Sequence, residues 1–278
     1  MPTLDRITIY PVKSLDGLDV EVCAVLPSGA LEHDRRWQLV DLEGRVVNAK
    51  RTGRFHAIRA GFDLDARTVA LARAAGPGEE FPLVPGSAGP CGWLSEALGV
   101  EVLLVERAEG GFPDDRDAPG PTLVSTASLA EVARWFGLDL DECRRRFRAN
   151  LEIGGCAAFW EDALASPARP GLEPVIGEAD AGLPADPYAA LPPSEPRPFT
   201  IGAARLVATN VCRRCGVPSR DSRTGVETAH FRDAFEARRS RRLRPDVDAS
   251  AWSHLYRLAV NTATPIAGAM ALGDAVTA

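Results

Sequence analysis

The feature of this sequence that most restricts its fold is the brevity of its apolar segments. Runs such as Val100-Glu101-Val102-Leu103-Leu104-Val105 are broken by charge within a few residues. Segments of that length serve as strands or as one face of a helix, and they fall far short of the ~20 apolar residues of a membrane span. Alternating or short apolar stretches predict strands over 7–10, 37–41, 45–47 and 68–71, with Gly44 supplying a tight turn between the second and third. A helix is expected over 91–98, closed by Gly99, and a buried strand over 100–105. The stretch 108–121, rich in Gly, Pro and Asp, is the candidate boundary between an N-terminal unit, 1–118, and a second unit, 119–278.

Beyond that boundary, 122–125 predicts a strand end. Ser128-Leu129-Ala130-Glu131 is a capping-box pattern opening a helix that Gly137 stops after Phe136. Strands are expected over 147–153, 201–209, 258–260 and 269–272, and an Arg-rich helix over 229–243 that Pro245 terminates. Residues 166–198 carry nine prolines, which exclude regular helix and central strand and predict an inserted surface loop. Strands dominate, no regular βαβ alternation is present, and 278 residues suffice for one large domain or two closely joined ones.

Charge and cysteine content narrow the function. Thirty-two Lys and Arg stand against 38 Asp and Glu, a net charge of −6, which argues against a general nucleic-acid binder. Only Lys13 and Lys50 are lysines; every other one of these cations is an arginine. The N-terminus shows no basic region followed by an apolar one, so no secretory signal is read and a cytoplasmic location is expected. In a reducing compartment the six cysteines are thiols rather than a disulfide framework.

Several short constellations carry chemistry. Cys212-x-x-Cys215 is open to three readings: part of a metal site, a redox dithiol, or one reactive thiolate favoured by Arg213 and Arg214. A zinc site lacks a second close ligand pair, and Gly216-Val217-Pro218-Ser219 after the motif is loop chemistry rather than a helix start; two plain cysteines at a strand end is the remaining alternative. Lys13 and Ser14 in Tyr10-Pro11-Val12-Lys13-Ser14, with Arg35, form a donor set suited to phosphate, or a group of solvated charges. Arg148 and Asn150 lie two apart in an expected strand and so share a face, able to hold a polar ligand or to end a sheet edge. Ser125, Thr126 and Ser128 precede a helix start, where free N–H groups attract anions or are simply capped. Arg144-Arg145-Arg146 and the arginines of 238–244 read first as solvated faces, with an acidic partner as the alternative.

Taken in order, Tyr10-Pro11-Val12-Lys13-Ser14, Asp34-Arg35-Arg36-Trp37, Phe147-Arg148-Ala149-Asn150 and Cys212-Arg213-Arg214-Cys215 resemble one family, the MOSC proteins, named for the molybdenum cofactor sulfurase C-terminal domain. The likeness runs from residue 4 to 276 and is to the two-part form found in the mitochondrial amidoxime-reducing component and its bacterial relatives. It implies an α+β, strand-rich fold: a MOSC β-barrel core with an N-terminal MOSC β-barrel-like region and a few peripheral helices. It implies a molybdenum cofactor of molybdopterin type, with Cys215 as the thiolate ligand of the metal and Cys212 as a neighbour. Lys13, Ser14 and Arg35 match positions for the cofactor's phosphate and pterin, Ser128 matches a nearby hydroxyl, and Arg148 with Asn150 match the cofactor and substrate side. With Cys215, Arg148 and Asn150 are then the catalytic candidates.

The activity implied is reduction of N-hydroxylated or N-oxide small molecules, in which the cofactor carries the hard chemistry. The chain has no ferredoxin-like cysteine set, so a separate electron-donor protein of ferredoxin, flavoprotein or cytochrome type is expected, and neither nucleic acid nor membrane is a partner. The alternative is a sulfur carrier or sulfurtransferase with a persulfide on Cys215. A third possibility is a cofactor-binding protein without turnover. Ala149 replaces a family Pro, Pro218-Ser219-Arg220 replaces Thr-Thr-Val, and Ser222 replaces a Pro, so Arg220 is expected to bring a cation toward the metal pocket.

Overall fold

The structure is a computed structural model that describes residues 1–73, 76–115, 117–165, 198–245, 247, 249–250 and 252–277. The N-terminal part runs β1 (Thr3–Ile9), β2 (Leu18–Val20), β3 (Val22–Ala24), β4 (Trp37–Val40), β5 (Val46–Val47), a 3-10 turn (Gly53–Ala57), β6 (Ile58–Asp63), β7 (Thr68–Arg73), β8 (Glu79–Pro82), α1 (Ala88–Leu98) and β9 (Leu103–Glu106). The C-terminal part runs β10 (Leu123–Ser125), α2 (Thr126–Phe136), α3 (Leu140–Phe147), β11 (Leu151–Gly154), α4 (Asp162–Ala165), β12 (Pro198–Ile201), β13 (Ala204–Arg213), a 3-10 turn (Val217–Ser219), α5 (Phe231–Arg239), β14 (Arg257–Ile266), β15 (Ala269–Ala271) and β16 (Val276–Thr277). The fold is strand-rich with few helices, and no helix among the described residues is long and apolar enough to cross a membrane.

One eight-stranded sheet, ordered β16-β12-β13-β14-β10-β11-β1-β2, dominates. The first strand of the chain pairs with a strand of the C-terminal part: β1 lies antiparallel to β11 with Leu4 opposite Ile153 and Ile7 opposite Leu151. This sheet therefore crosses position 118. The pair β10 and β11 is parallel and is joined by the crossover α2–α3, the connection that parallel neighbours require. Two three-stranded sheets, β5-β4-β9 and β6-β7-β8, pack around Trp37, Leu39, Leu71, Leu94 and Leu104, and β3 pairs with β15 in a two-stranded sheet.

Local chemistry explains where elements stop. Gly44 adopts φ +77° in the turn between β4 and β5, and Gly99 and Gly137 close α1 and α2 in the left-handed region at +68° and +63°, where a Cβ is unfavourable. The cap of α2 is Ser125, whose hydroxyl accepts from Ser128 N; the helix therefore starts one turn before the capping-box reading, which takes Ser128 as the opening residue. The expected strand over 147–153 divides: α3 ends at Phe147, Arg148 is its left-handed C-cap, and β11 begins at Leu151. Helix α3 escapes the hydropathy reading because Arg144, Arg145 and Arg146 conceal its buried face. In the fold Arg144 pairs with Glu152 (2.6 Å) and Arg146 with Glu142 (2.6 Å), so this arginine run is turned inward rather than solvated. The strand expected over 201–209 is two, β12 and β13, split by a turn at Gly202 (φ +56°). The Pro-rich stretch read as a surface loop lies outside the described residues, apart from Pro198, which begins β12.

Beneath the start of α2 is a buried polar network. Ser128 Oγ donates to Glu161 Oε2 at 3.0 Å, and Asp162 pairs with the wholly buried Arg239. Among the described residues Glu161 Oε1 has no hydrogen-bond partner, and burial, reinforced by Asp162, pushes the Glu161 carboxyl up to about 7. The folded state therefore holds this proton more tightly than the unfolded chain, so its contribution is complete below the ordinary value of 4.5 and is lost as pH rises through about 7. Glu161→Gln removes the titration: urea midpoints at about pH 5 and about pH 8 are expected to converge in the variant and to fall with pH in the parent. Equal slopes in the two proteins overturn this assignment.

Candidate functional site

A cavity of about 960 Å³ opens between the N-terminal loops and the end of β13. Among the described residues, twelve arginine and lysine side chains line it against seven aspartates and glutamates, although the chain as a whole carries a net charge of −6. Opposite charge has thus been sorted in space, which favours an anionic ligand in the cavity.

Lys13, Ser14 and Arg35 meet at one end. Ser14 (φ +76°) and Arg35 (φ +50°) both occupy the left-handed region, which aims the loops after β1 and before β4 at a common point. Ser14 Oγ accepts from Ala49 N at 3.1 Å and keeps its own proton to donate. Arg35 pairs with Asp34 and reaches Asn150 Oδ1 at 3.3 Å. Lys13 Nζ lies 3.1 Å from both Phe112 O and Asp114 Oδ1. Burial lowers the Lys13 ammonium below its ordinary value despite Asp114. Asp114 is held well below the usual carboxylate range: burial opposes ionisation, and Arg35, Lys13 and Lys50 outweigh it.

Arg148 and Asn150 form the wall beside them. As the C-cap of α3, Arg148 (φ +53°) leaves the helix axis and lays its guanidinium 4.0 Å from the centre of the Tyr10 ring, a cation–π contact that fixes a cation without neutralising it. Its side chain makes no ion pair among the described residues, and burial lowers its pKa. Asn150 is buried and saturated: Nδ2 donates to Thr8 O (3.0 Å) and Asp34 Oδ1 (3.1 Å), while Oδ1 accepts from Thr122 N (3.2 Å), Thr122 Oγ1 (3.1 Å) and Arg35. Both amide protons are spent inside the protein, so Asn150 positions Arg35 and Asp34 and has no proton left for a ligand. The two residues do not share a strand face, since Arg148 ends a helix.

The two cysteines of the motif differ sharply. Cys212, the penultimate residue of β13, is buried, donates to Asn261 Oδ1 at 2.8 Å, and is pushed up to about 12 by burial. Cys215 follows in the loop, lines the cavity, is half-buried, and makes no hydrogen bond among the described residues. One inert thiol beside one accessible thiol is a single-ligand or single-nucleophile arrangement. Among the described residues no group of three or more His, Cys, Asp or Glu could hold a bare metal ion.

Ser128 stands apart from this assembly: it is fully buried against Glu161 and does not line the cavity. Arg220 is likewise not a lining residue and donates to Ala49 O at 2.7 Å, where it braces the wall. His56 lines the cavity with a buried Nε2 that has no partner among the described residues, and burial, then Arg220, Arg148 and Arg59, lower its pKa so that the ring is neutral. No sequence pattern marks His56. Asp114 lies in the Gly-, Pro- and Asp-rich stretch that reads as a boundary, and its composition conceals its position in the site.

By its chemistry this is a strand-rich protein whose cleft is lined by an excess of cations and carries one half-buried thiol. Residues 1–86 match the model of the MOSC N-terminal beta barrel domain. The chain is similar to the molybdenum cofactor sulfurases of Drosophila erecta and Drosophila melanogaster, each 30% identical over 189 residues, and to that of Danio rerio, 26% identical over 208 residues. Each match covers 58% of this chain and 24–25% of the relative, so the chain spans about a quarter of those proteins' length. A solved structure, the YUAD protein from Bacillus subtilis, covers 99% of this chain and 94% of its own at 11% identity with a TM-score of 0.40.

Replacing the saturated amide strands several buried groups at once, each costing on the order of 1–3 kcal/mol. Asn150→Ala is expected to lower unfolding free energy by about 3 kcal/mol in urea titration; a loss within experimental error of zero contradicts the positioning role.

Proposed function

We propose that this protein binds a molybdenum cofactor of molybdopterin type through Cys215 and reduces N-hydroxylated or N-oxide small molecules with electrons from a separate donor protein. The observation that carries this reading is the convergence of an accessible thiol, an unneutralised Arg148 and a lysine–arginine cluster in one cavity whose lining is cationic within an acidic chain.

The donor set fits such a group. Lys13, Lys50, Arg35 and the Ser14 hydroxyl suit a phosphate, which needs cations and donors from several loops. Arg148 and the orphaned His56 Nε2 suit the polar edge of a pterin or of a substrate, and Cys215 supplies one thiolate to a soft metal centre. When bound, the cofactor supplies the electron and oxygen transfer. The chain's own residues bind and orient. Lys13 and Arg35 hold the anionic end. Arg148, fixed over Tyr10, keeps its charge directed into the cavity, and neutral His56 is able to give or accept one hydrogen bond there. Asn150 holds the wall in place, and Cys212 stays protonated on Asn261, which leaves metal ligation to its neighbour.

A second reading, sulfur transfer through a persulfide on Cys215, is favoured by the name of the relatives and by the accessibility of that thiol. Molybdenum and pterin analysis of freshly purified protein separates the two. Stoichiometric molybdenum that is lost in Cys215→Ala and kept in Cys212→Ala, with amidoxime reduction down more than about a hundredfold in the former, supports the reductase. Metal-free protein that releases sulfane sulfur on cyanide treatment supports the transferase. Equal metal loss in both variants sinks the choice of ligand.

A further inference from the structure

The chain's two lysines converge on a single carboxylate. Lys13 Nζ lies 3.1 Å and Lys50 Nζ 3.8 Å from Asp114 Oδ1, and Arg35 Nε faces Asp114 Oδ2 at 3.6 Å. Asp114 rides on residues 110–115, which cross the cavity and are tied at both ends. At the cationic end Gly111 packs so tightly that a Cβ would stand 2.5 Å from Asp34 O and 2.8 Å from Arg35 O. There Phe112 N donates to Arg35 O at 2.8 Å, and Lys13 donates to Phe112 O. At the cysteine end Asp115 Oδ2 accepts from Asn261 Nδ2 (3.1 Å) and Asn210 Nδ2 (3.5 Å), and Asn261 is the residue that accepts from Cys212.

Charge at the cationic end is not balanced. Three cations face the single charge of Asp114, and among the described residues only Arg35 of the three has another acid, Asp34. Half of the Asp114 side chain is open to solvent, so this carboxylate is held by the cluster rather than by packing. A phosphate group carries more charge than a carboxylate and three free oxygens against two, and it answers the same three donors more completely.

We propose that Asp114 is a built-in occupant of this anion seat: its carboxylate stands where the phosphate of a ligand binds, pins residues 110–115 across the cavity, and is displaced when a phosphate-bearing ligand enters. The inference rests on the anion-binding reading above and adds to it a competitor carried by the chain itself. Displacement breaks the Lys13–Asp114 pair, so ligand binding and loop position are coupled, and the apparent affinity is reduced by the fraction of molecules in which the seat is filled. Weak monoanions fail to displace the loop, and only a ligand with a phosphate-class charge does.

The test is calorimetric titration of the full chain, purified free of cofactor, with inorganic pyrophosphate as probe. Asp114→Asn is expected to bind about tenfold more tightly than the parent, while Glu109→Gln, an exposed charge change on the neighbouring turn, binds as the parent does and Lys13→Ala binds more weakly. A second readout uses the unaltered chain: pyrophosphate is expected to accelerate proteolytic cleavage within 110–115. Parent and Asp114→Asn binding with equal affinity, or cleavage unchanged by pyrophosphate, overturns the displacement proposal and leaves the anion site standing. Absence of binding in the parent and both aspartate and lysine variants removes the anion site and the proposal together.

Discussion

The buried carboxamide of Asn150 is the contact on which the rest of the site depends. Its two protons go to Thr8 O in β1 and to Asp34, and its oxygen takes Thr122 and Arg35. One side chain thereby fastens the first strand of the chain, the loop that carries Arg35, and the approach to β10. A buried amide with every valence used tolerates little displacement, because each broken bond leaves a desolvated polar group behind. The cavity wall inherits that rigidity: Arg35 is aimed by Asp34 and Asn150, and Arg148, two residues before the amide, is aimed by the end of α3 and the face of Tyr10.

Around this hub, an acidic protein encloses a cationic space. Arginines that appear surplus in the sequence are divided between two uses. Arg144, Arg146 and Arg239 are consumed by Glu152, Glu142 and Asp162, whereas Arg148 keeps its charge for the cavity. The same division separates the thiols. Three residues apart, Cys212 lies in the strand core with its proton on Asn261, and Cys215 sits where the strand has ended and the cavity begins. Burial raises the energy of a thiolate, so which of the two sulfurs reaches the cavity follows from where β13 stops.

Much of the local structure was legible. Period-two segments around Trp37, Thr68 and Ala269 are strands, and Gly44, Gly99 and Gly137 end elements in the left-handed region. The motif residues Lys13, Ser14, Arg35, Arg148, Asn150 and Cys215 do reach one cavity, while Ser128 turns instead toward Glu161. What misled is equally specific. The alternation in Phe147-Arg148-Ala149-Asn150 imitates a strand although a helix ends inside it, because three arginines with buried stems and paired heads hide the inward face of α3. His56 and Asp114 have no motif; their place is set by loops whose paths depend on distant backbone contacts, such as Gly111 against Asp34 and Arg35.

By itself, the sequence determined the class of the fold, the position of its turns, and the small set of cations, amides and thiols from which a site is assembled, since these follow from short-range sterics, periodicity and the chemistry of each side chain. Tertiary structure alone decided that β1 pairs with β11 in one sheet across the two parts, that a chain of net negative charge surrounds a positive cavity, and that Asp114 meets both lysines there. The physical reason is that charge balance, burial and hydrogen-bond saturation are properties of neighbours in space, and those neighbours come from segments distant in the chain.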